Sequence, residues 1–407
     1  MAKKTALVLG GSGIAGSSIV RNLKQDSKTD WHIIVVSHVP RPDLPLFEDI
    51  EYVRVDAFNT VALRTKLRQY EIQVMFYAAA VMQLKADWFP TNDVGLRILR
   101  ELNFYSGKVM PWFRKTIRPE DLQKMFCYMV GLADGGTNLK LFSRVMEVAM
   151  EHPIEHVCAI TGGRYYGSVF MSPWLHDYAI PFREDFPRLA VETWYYQVED
   201  HLAECADKGG FTWSVMRPST IIGYAEGSPF NFGTSLGVFA SIMKEMGRPL
   251  VFPGMMRAYD AKIDQTSAEL LARQMIWSCY EERAKNEAFN SVNADRADWS
   301  EVWLNIGKYF DMPIELQKWG MSVEAVVQRA EKTGLWDDMI KKYGLRNTPL
   351  RSLMPPNCID QFMLIDWDQP YSIQKSRAAG FDETIDSSAM FTNLFDALRE
   401  AKVIPPP

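Results

Sequence analysis

The sequence predicts a doubly wound α/β protein, a parallel sheet with helices on both faces, followed by a smaller and mainly helical C-terminal region. Three observations carry this expectation. Gly10-Gly11-Ser12-Gly13-Ile14-Ala15-Gly16 stands directly behind Thr5-Ala6-Leu7-Val8-Leu9, a continuous apolar run that reads as a buried first strand. Short apolar runs then alternate with amphipathic stretches, the signature of parallel strands joined by crossover helices. Beyond about residue 225 the texture changes to longer helical patterns separated by Pro and Gly. The expected division is therefore a Rossmann-type dinucleotide-binding domain over 1–225 and a helical, substrate-covering region over 226–407.

Taken in order, the glycines at 10, 13 and 16 let the backbone turn sharply, approach a pyrophosphate without a Cβ in the way, and pack the next helix closely on the sheet. Ile14, Ile19, Val20 and Leu23 follow at helical spacing, so a bound dinucleotide is preferred over a ligand-free glycine turn. Runs at 31–37, 52–55, 74–80, 156–161 and 212–216 read as further parallel strands, which would place a site at their carboxyl ends. Helical spacing marks 139–150 and 191–206 between the strands, then 237–246, 267–282, 299–310, 323–331 and 388–401. Between Val81 and Asn138 the chain is too long for a simple crossover. With Trp88, Phe89, Phe104, Tyr105, Trp112 and Phe113 it is too aromatic for a disordered loop, so a helical insertion over about 83–130 is expected.

Composition narrows the function classes. A net charge of −5, with 47% hydrophobic and 23% charged residues, offers no electrostatic reason for nucleic acid or an anionic membrane as partner. Five scattered cysteines without a CxxC pair argue against a disulfide framework or a zinc site and suit a reducing compartment. His152 and His156 have metal-like spacing, but the second opens an apolar strand and no third ligand is evident, so no metal is expected. Met1-Ala2-Lys3-Lys4 runs straight into the first strand and no apolar run approaches membrane-spanning length, so a cytoplasmic protein with a small-molecule partner is expected. A homodimer is compatible with the sequence.

At the end of the second strand, where NAD enzymes of this architecture carry an acidic residue, stands Val36-Ser37-His38. With no carboxylate to repel a 2′-phosphate, and with Ser37, His38 and Arg41 as donors, NADPH (NADP+) is expected rather than NADH. Asp56 is placed either to meet the adenine amino group or to cap the helix that follows. Gly10, Gly13, Ile14, Gly16, Ala57, Ala78, Ala79, Thr161, Tyr196 and Ile221 complete the expected cofactor contacts.

Two later segments carry chemistry: Thr161-Gly162-Gly163-Arg164-Tyr165-Tyr166-Gly167-Ser168-Val169-Phe170 and Thr193-Trp194-Tyr195-Tyr196-Gln197-Val198-Glu199-Asp200. They resemble the TGxKHYxGPF and NFYYxxED motifs of the progesterone 5β-reductase and iridoid synthase-like family of atypical short-chain dehydrogenases. Arg217-Pro218-Ser219-Thr220-Ile221-Ile222-Gly223 is similar to its RPxxIxG segment, and 284–290 to a further stretch, so the resemblance covers nearly the whole chain apart from the aromatic insertion. It implies NADPH-dependent reduction of an activated C=C bond, with hydride delivered to the β-carbon of an enone or enal and the enolate oxygen held by a tyrosine hydroxyl.

By the resemblance, Tyr196 matches the second tyrosine of the NFYY segment and is the candidate oxyanion donor. Arg164 stands where the family carries lysine. It keeps a positive charge but presents a planar fork in place of an ammonium. Tyr165, Ser168 and Val169 also depart from the motif, while Tyr166 and Phe170 fit and, with Tyr371 from the more polar Asp368-Gln369-Pro370-Tyr371 stretch, are expected at the substrate. For Trp194 and Tyr195 a core role is expected, and a structural pairing of Arg164 with Glu199 or Asp200 is the alternative to a place beside the cofactor. Direct 1,2-reduction of a ketone or aldehyde, and a non-catalytic dinucleotide sensor, are the rival functions.

Overall fold

The apolar run behind the glycine turn forms β1 (Lys3–Leu9), and the chain continues through β2 (Asp30–Ser37), β3 (Glu51–Arg54), β4 (Val74–Tyr77), β5 (His156–Ile160) and β6 (Thr212–Pro218). The structure, a computed structural model, describes residues 3–42, 44–81, 94, 97, 135–167, 180–188, 193–228 and 230–407. The expected insertion over 83–130 and Phe170 therefore lie outside the described residues. Beyond β6 come β7 (Thr220–Ile222), β8 (Leu250–Val251), β9 (Gln265–Ser267), β10 (Glu287–Ser291) and β11 (Ile314–Glu315). Seven of these form one parallel sheet in the order β10-β6-β5-β4-β1-β2-β3. The order reverses between β1 and β4, which opens a crevice at the carboxyl ends of those strands, where ligands of such sheets bind.

Alternation of side chains along each strand feeds two cores. Leu7, Leu9, Ile34, Val36, Met75 and Tyr77 point to one face, covered by α2 (Thr60–Leu67), α3 (Gly135–Ala149) and α4 (Trp194–Gly209). Ala6, Val8, Ile33, Val35 and Phe76 point to the other, under α1 (Ile14–Gln25) and a later helix. A third core lies in the C-terminal region, where Phe232 and Phe239 of α5 (Phe232–Glu245) pack with residues of the helices that follow. Among those helices, α6 (Ala268–Ser278) returns to the sheet, α7 (Trp299–Tyr309) brings Trp299 and Trp303, and α8 (Val323–Thr333) and α9 (Leu335–Tyr343) bring Val327 and Met339. The last helix, α10 (Ser387–Glu400), contributes Phe391 and Phe395. No helix among the described residues is long and apolar enough to cross a membrane.

Most expected elements appear within a few residues of their expected bounds. The strand expected over 74–80 stops at Tyr77, because beyond it the backbone leaves the ladder to face the glycine turn. The chain also crosses the boundary expected at 225 and comes back. The α6 residue Glu269 accepts from Ser18 Oγ (2.9 Å) and Asn22 Nδ2 (2.6 Å) on α1, and β10 pairs with β6 as the sheet's edge. Residues 226–407 are thus not a body apart from the sheet. The strand at β10 was not expected, since Glu287-Ala288-Phe289-Asn290-Ser291 has neither alternation nor β-branched residues, and only pairing with β6 makes it one.

His156 opens β5 in a buried position, its Nδ1 2.9 Å from Thr212 Oγ1 and its Nε2 without a partner among the described residues. Burial first, and the Lys285 charge second, push its pKa down to about 3. The native state keeps this imidazole neutral while the unfolded chain protonates near pH 6.5, so its contribution is complete above that pH and is lost as pH falls from there towards 3. We expect stability to fall by up to about 1.4 kcal/mol per pH unit from this group alone. Urea midpoints measured between pH 6.5 and 4.5 should decline less steeply in His156→Leu than in the parent, and equal slopes would contradict a buried neutral histidine.

Candidate active site

The glycine turn is built against the end of β4. Gly10 has φ +75°, and a Cβ there would stand 2.9 Å from the Ala78 carbonyl oxygen and from Ala79 Cα. A Cβ on Gly16 would overlap the Gly10 carbonyl oxygen, so α1 reaches the turn only with glycine there. Gly13 N–H closes the turn on Gly10 O (2.9 Å) and Gly13 precedes α1 with no side-chain cap. A helix start lacking a side-chain cap, behind a turn with glycine at 10, 11 and 13, fits the pyrophosphate of a dinucleotide. Ile14 packs in one small cluster with Ala225, Ala268 and Ile221, which brings β7 to the same place.

The other expected cofactor residues divide. Ser37 is buried with its Oγ 2.8 Å from Ser12 Oγ of the glycine turn, and His38 next to it is exposed. Arg41 donates to the Phe47 carbonyl (3.3 Å). Asp56 Oδ1 accepts from Phe58 N (3.0 Å), whereas Asn59 caps α2 through Ala62 N (3.0 Å), so the capping role considered for Asp56 belongs to Asn59. Ala57 is half-buried against the α2 face of the sheet. Thr161 lies at the end of β5, but its hydroxyl donates to Glu199 Oε1 (3.1 Å).

Glu199 and Arg217 organise the floor of the site. The Arg217 guanidinium donates twice to the Glu199 carboxylate, Nε at 3.0 Å and Nη2 at 2.7 Å, with side-chain exposures of 4% and 7%. Its Cζ stands 3.3 Å from the centroid of the Tyr165 ring. Burial would lower the Arg217 pKa, but the Glu199 charge more than offsets this and holds it above the ordinary value. Asp200, one residue on, faces elsewhere and takes both forks of Arg188 (2.6 and 2.7 Å). Both carboxylates considered as partners for Arg164 are therefore held by other arginines.

The two tyrosines at the start of α4 follow the same division. On a helix Tyr195 shares a face with Glu199, and Tyr196 shares the next with Asp200. Tyr196 is buried, its hydroxyl donates to the Tyr165 carbonyl (2.6 Å), and Arg188 lies 4.9 Å from its ring centroid. Tyr195 follows the N-cap Thr193 and sends its hydroxyl to the turn after β5, where a Cβ on Gly162 would lie 3.3 Å from it. No described residue hydrogen-bonds that hydroxyl. Burial raises the Tyr195 pKa, and the half-buried Arg164 guanidinium opposes the rise. Arg164 forms no ion pair with a described carboxylate.

Tyr166 and Tyr371, expected at a substrate, sit together in a packed aromatic cluster with Tyr165, Phe182 and Tyr196. The Tyr166 hydroxyl donates to Asn290 Oδ1 (2.6 Å), and its ring stacks on Phe182 at 5.3 Å. Tyr371 N donates to the buried Asp264 (2.7 Å), and Pro370 and Ser372 bond to Phe182 on either side. Both the Tyr166 and Tyr371 rings are buried there. Tyr195, expected in a core role, stands with its hydroxyl at the turn after β5, and a signal for that placement existed in the sequence. An Arg in RPxxIxG on a central strand needs a buried carboxylate, Glu199 is the one in reach, and Tyr195 lies one turn before it.

Against known proteins, residues 125–405 match the family described as the PRISE-like Rossmann-fold domain. A 3-oxo-Delta(4,5)-steroid 5-beta-reductase of Arabidopsis thaliana is 27% identical over 406 residues, covering 99% of this chain and 94% of its own length. An (S)-8-oxocitronellyl enol synthase of Catharanthus roseus is 26% identical over 414 residues, with 99% and 93% covered. Among solved structures, a UDP-glucose 4-epimerase of Thermus thermophilus in complex with NAD shares the fold with a TM-score of 0.59 at 15% identity, covering 98% of this chain and 99% of that one.

Proposed function

The chain belongs to the PRISE-like Rossmann-fold family, and from that premise we propose that it is an NADPH-dependent reductase of the activated C=C bond of an enone or enal. The substrate is a small or medium apolar carbonyl compound. The relatives' names, a steroid 5-beta-reductase and an enol synthase, support conjugate reduction of such compounds. When bound, NADPH supplies the hydride that the β-carbon accepts.

The chain's own residues hold the developing charge. Tyr195 takes the role that the sequence reading assigned to Tyr196. Its hydroxyl faces the turn after β5 and has no partner among the described residues, whereas that of Tyr196 is engaged by the Tyr165 carbonyl. As hydride reaches the β-carbon, the π electrons move onto the carbonyl oxygen. The Tyr195 O–H donates to that enolate oxygen, and a proton from solvent completes the product at the α-carbon. A phenol with an ordinary pKa of about 10, raised here by burial, stays protonated and is a donor at neutral pH. Arg164 supplies the positive charge that favours the oxyanion, in the place of the family's lysine. The single observation that carries this reading is the Tyr195 hydroxyl beside Gly162, with Arg164 as its charged neighbour.

The test is turnover of deuterium-labelled NADPH with a panel of enones, enals, ketones and aldehydes, followed by location of the label. Label on the β-carbon is the expected result. Label on the carbinol carbon would make the enzyme a 1,2-carbonyl reductase, and cofactor binding without turnover across the panel would favour the sensor.

A further inference from the structure

β2 and β3 end side by side in register, with Ser37 and Arg54 as directly paired residues. Ser37 alternates with Val35 and therefore lies on the α1 side of the sheet, the side on which the glycine turn passes over β2. Arg54 alternates with Tyr52, which packs against the same core, so both side chains leave the sheet on one face. Ser37 Oγ meets Ser12 Oγ of the turn at 2.8 Å. The Arg54 Nε donates to the carbonyl of His38 (3.3 Å), which draws the guanidinium across the end of β2. Its terminal nitrogens form no hydrogen bond or ion pair with any described residue, and the side chain is exposed. Arg41, the basic residue nearest in sequence, instead donates to Phe47 O.

We infer that Arg54, with the Ser12 and Ser37 hydroxyls, is the binding site for the 2′-phosphate of the cofactor's adenosine ribose. This rests on the NADPH reading above and goes beyond it by naming the residues that read the phosphate. A carboxylate at the end of β2 would accept the ribose hydroxyls and repel a phosphate. Here that position is a neutral serine, and the charge arrives from the neighbouring strand. The guanidinium fork, held by one bond to His38, leaves donors that suit a phosphate dianion bidentately. His38 contributes its carbonyl to hold Arg54 in place.

The experiment is calorimetric titration of the purified protein with NADP+ and NAD+ separately, so that binding is read without turnover. The parent is expected to bind NADP+ more tightly. Arg54→Gln should weaken NADP+ by about 10–100-fold and leave NAD+ within about twofold, the size of a charge-assisted hydrogen-bonded pair. Arg54→Lys should recover part of the loss, because the charge remains without the fork. A preference that persists in Arg54→Gln but vanishes in Arg41→Gln would overturn the assignment and leave the NADPH reading intact. Equal affinities in the parent would overturn both. Equal losses for the two dinucleotides in Arg54→Gln would make the residue structural and overturn the inference.

Discussion

Tyr195→Phe is expected to lower turnover by about 10²–10⁴-fold, with cofactor affinity unchanged within about twofold, because it removes one donor from the developing oxyanion and leaves the ring in place. Tyr196→Phe should behave differently. Its hydroxyl donates to the Tyr165 carbonyl in a packed aromatic cluster, so its loss should cost about 0.5–1.5 kcal/mol of stability and change turnover by less than about tenfold. The two variants differ by one atom each on neighbouring residues, which makes the pair a direct comparison. Single-turnover reduction with labelled NADPH and urea unfolding of both variants decide it. The reverse pattern, with Tyr196 controlling turnover and Tyr195 only stability, would return the oxyanion to the residue indicated by the motif alone.

The second large effect concerns Glu199 and Arg217. Glu199→Gln should destabilise the protein by about 3–5 kcal/mol, since it leaves a guanidinium buried beneath the Tyr165 ring without its counter-charge. Arg217→Met should cost a similar amount by stranding the carboxylate. The double variant Arg217→Met with Glu199→Leu should be less damaging than either single change, because no unpaired charge remains. Guanidinium unfolding of the three variants measures the coupling. A loss below about 1 kcal/mol for the single changes would mean that water reaches the pair. The same carboxylate accepts from Thr161 at the end of β5, so the singles should also disturb the turn that faces Tyr195.

How much was legible in advance follows from the range of each signal. The glycine turn and its strand were readable because their requirements are local: Gly10 needs a positive φ, and Gly16 must lie against the backbone of its own turn. Helices such as α7, α8 and α10 were readable because each carries an apolar stripe and an N-cap, Asp298, Ser322 and Asp386 respectively. β10 was not, because its residues become a strand only by lying along β6. Which of Tyr195 and Tyr196 sends its hydroxyl to the turn after β5 was not legible either, since a two-residue motif does not say which residue faces the sheet.

By itself the sequence determined the α/β class, the dinucleotide turn and the two segments that meet at the end of β5, because periodicity and glycine sterics act over a few residues and survive without a partner. Tertiary structure alone decided which arginine meets which carboxylate, and so which tyrosine hydroxyl faces the turn after β5. It also brought Arg54 beside Ser37 by pairing the ends of two consecutive strands in register. The physical reason is the same in each case. A buried charge must find its counter-charge wherever the fold brings one, and a helix then has only about 100° of rotation per residue with which to present its neighbours. Once Glu199 turns inward to Arg217, Tyr195 turns with it, and Tyr196 is carried towards Arg188 and Asp200.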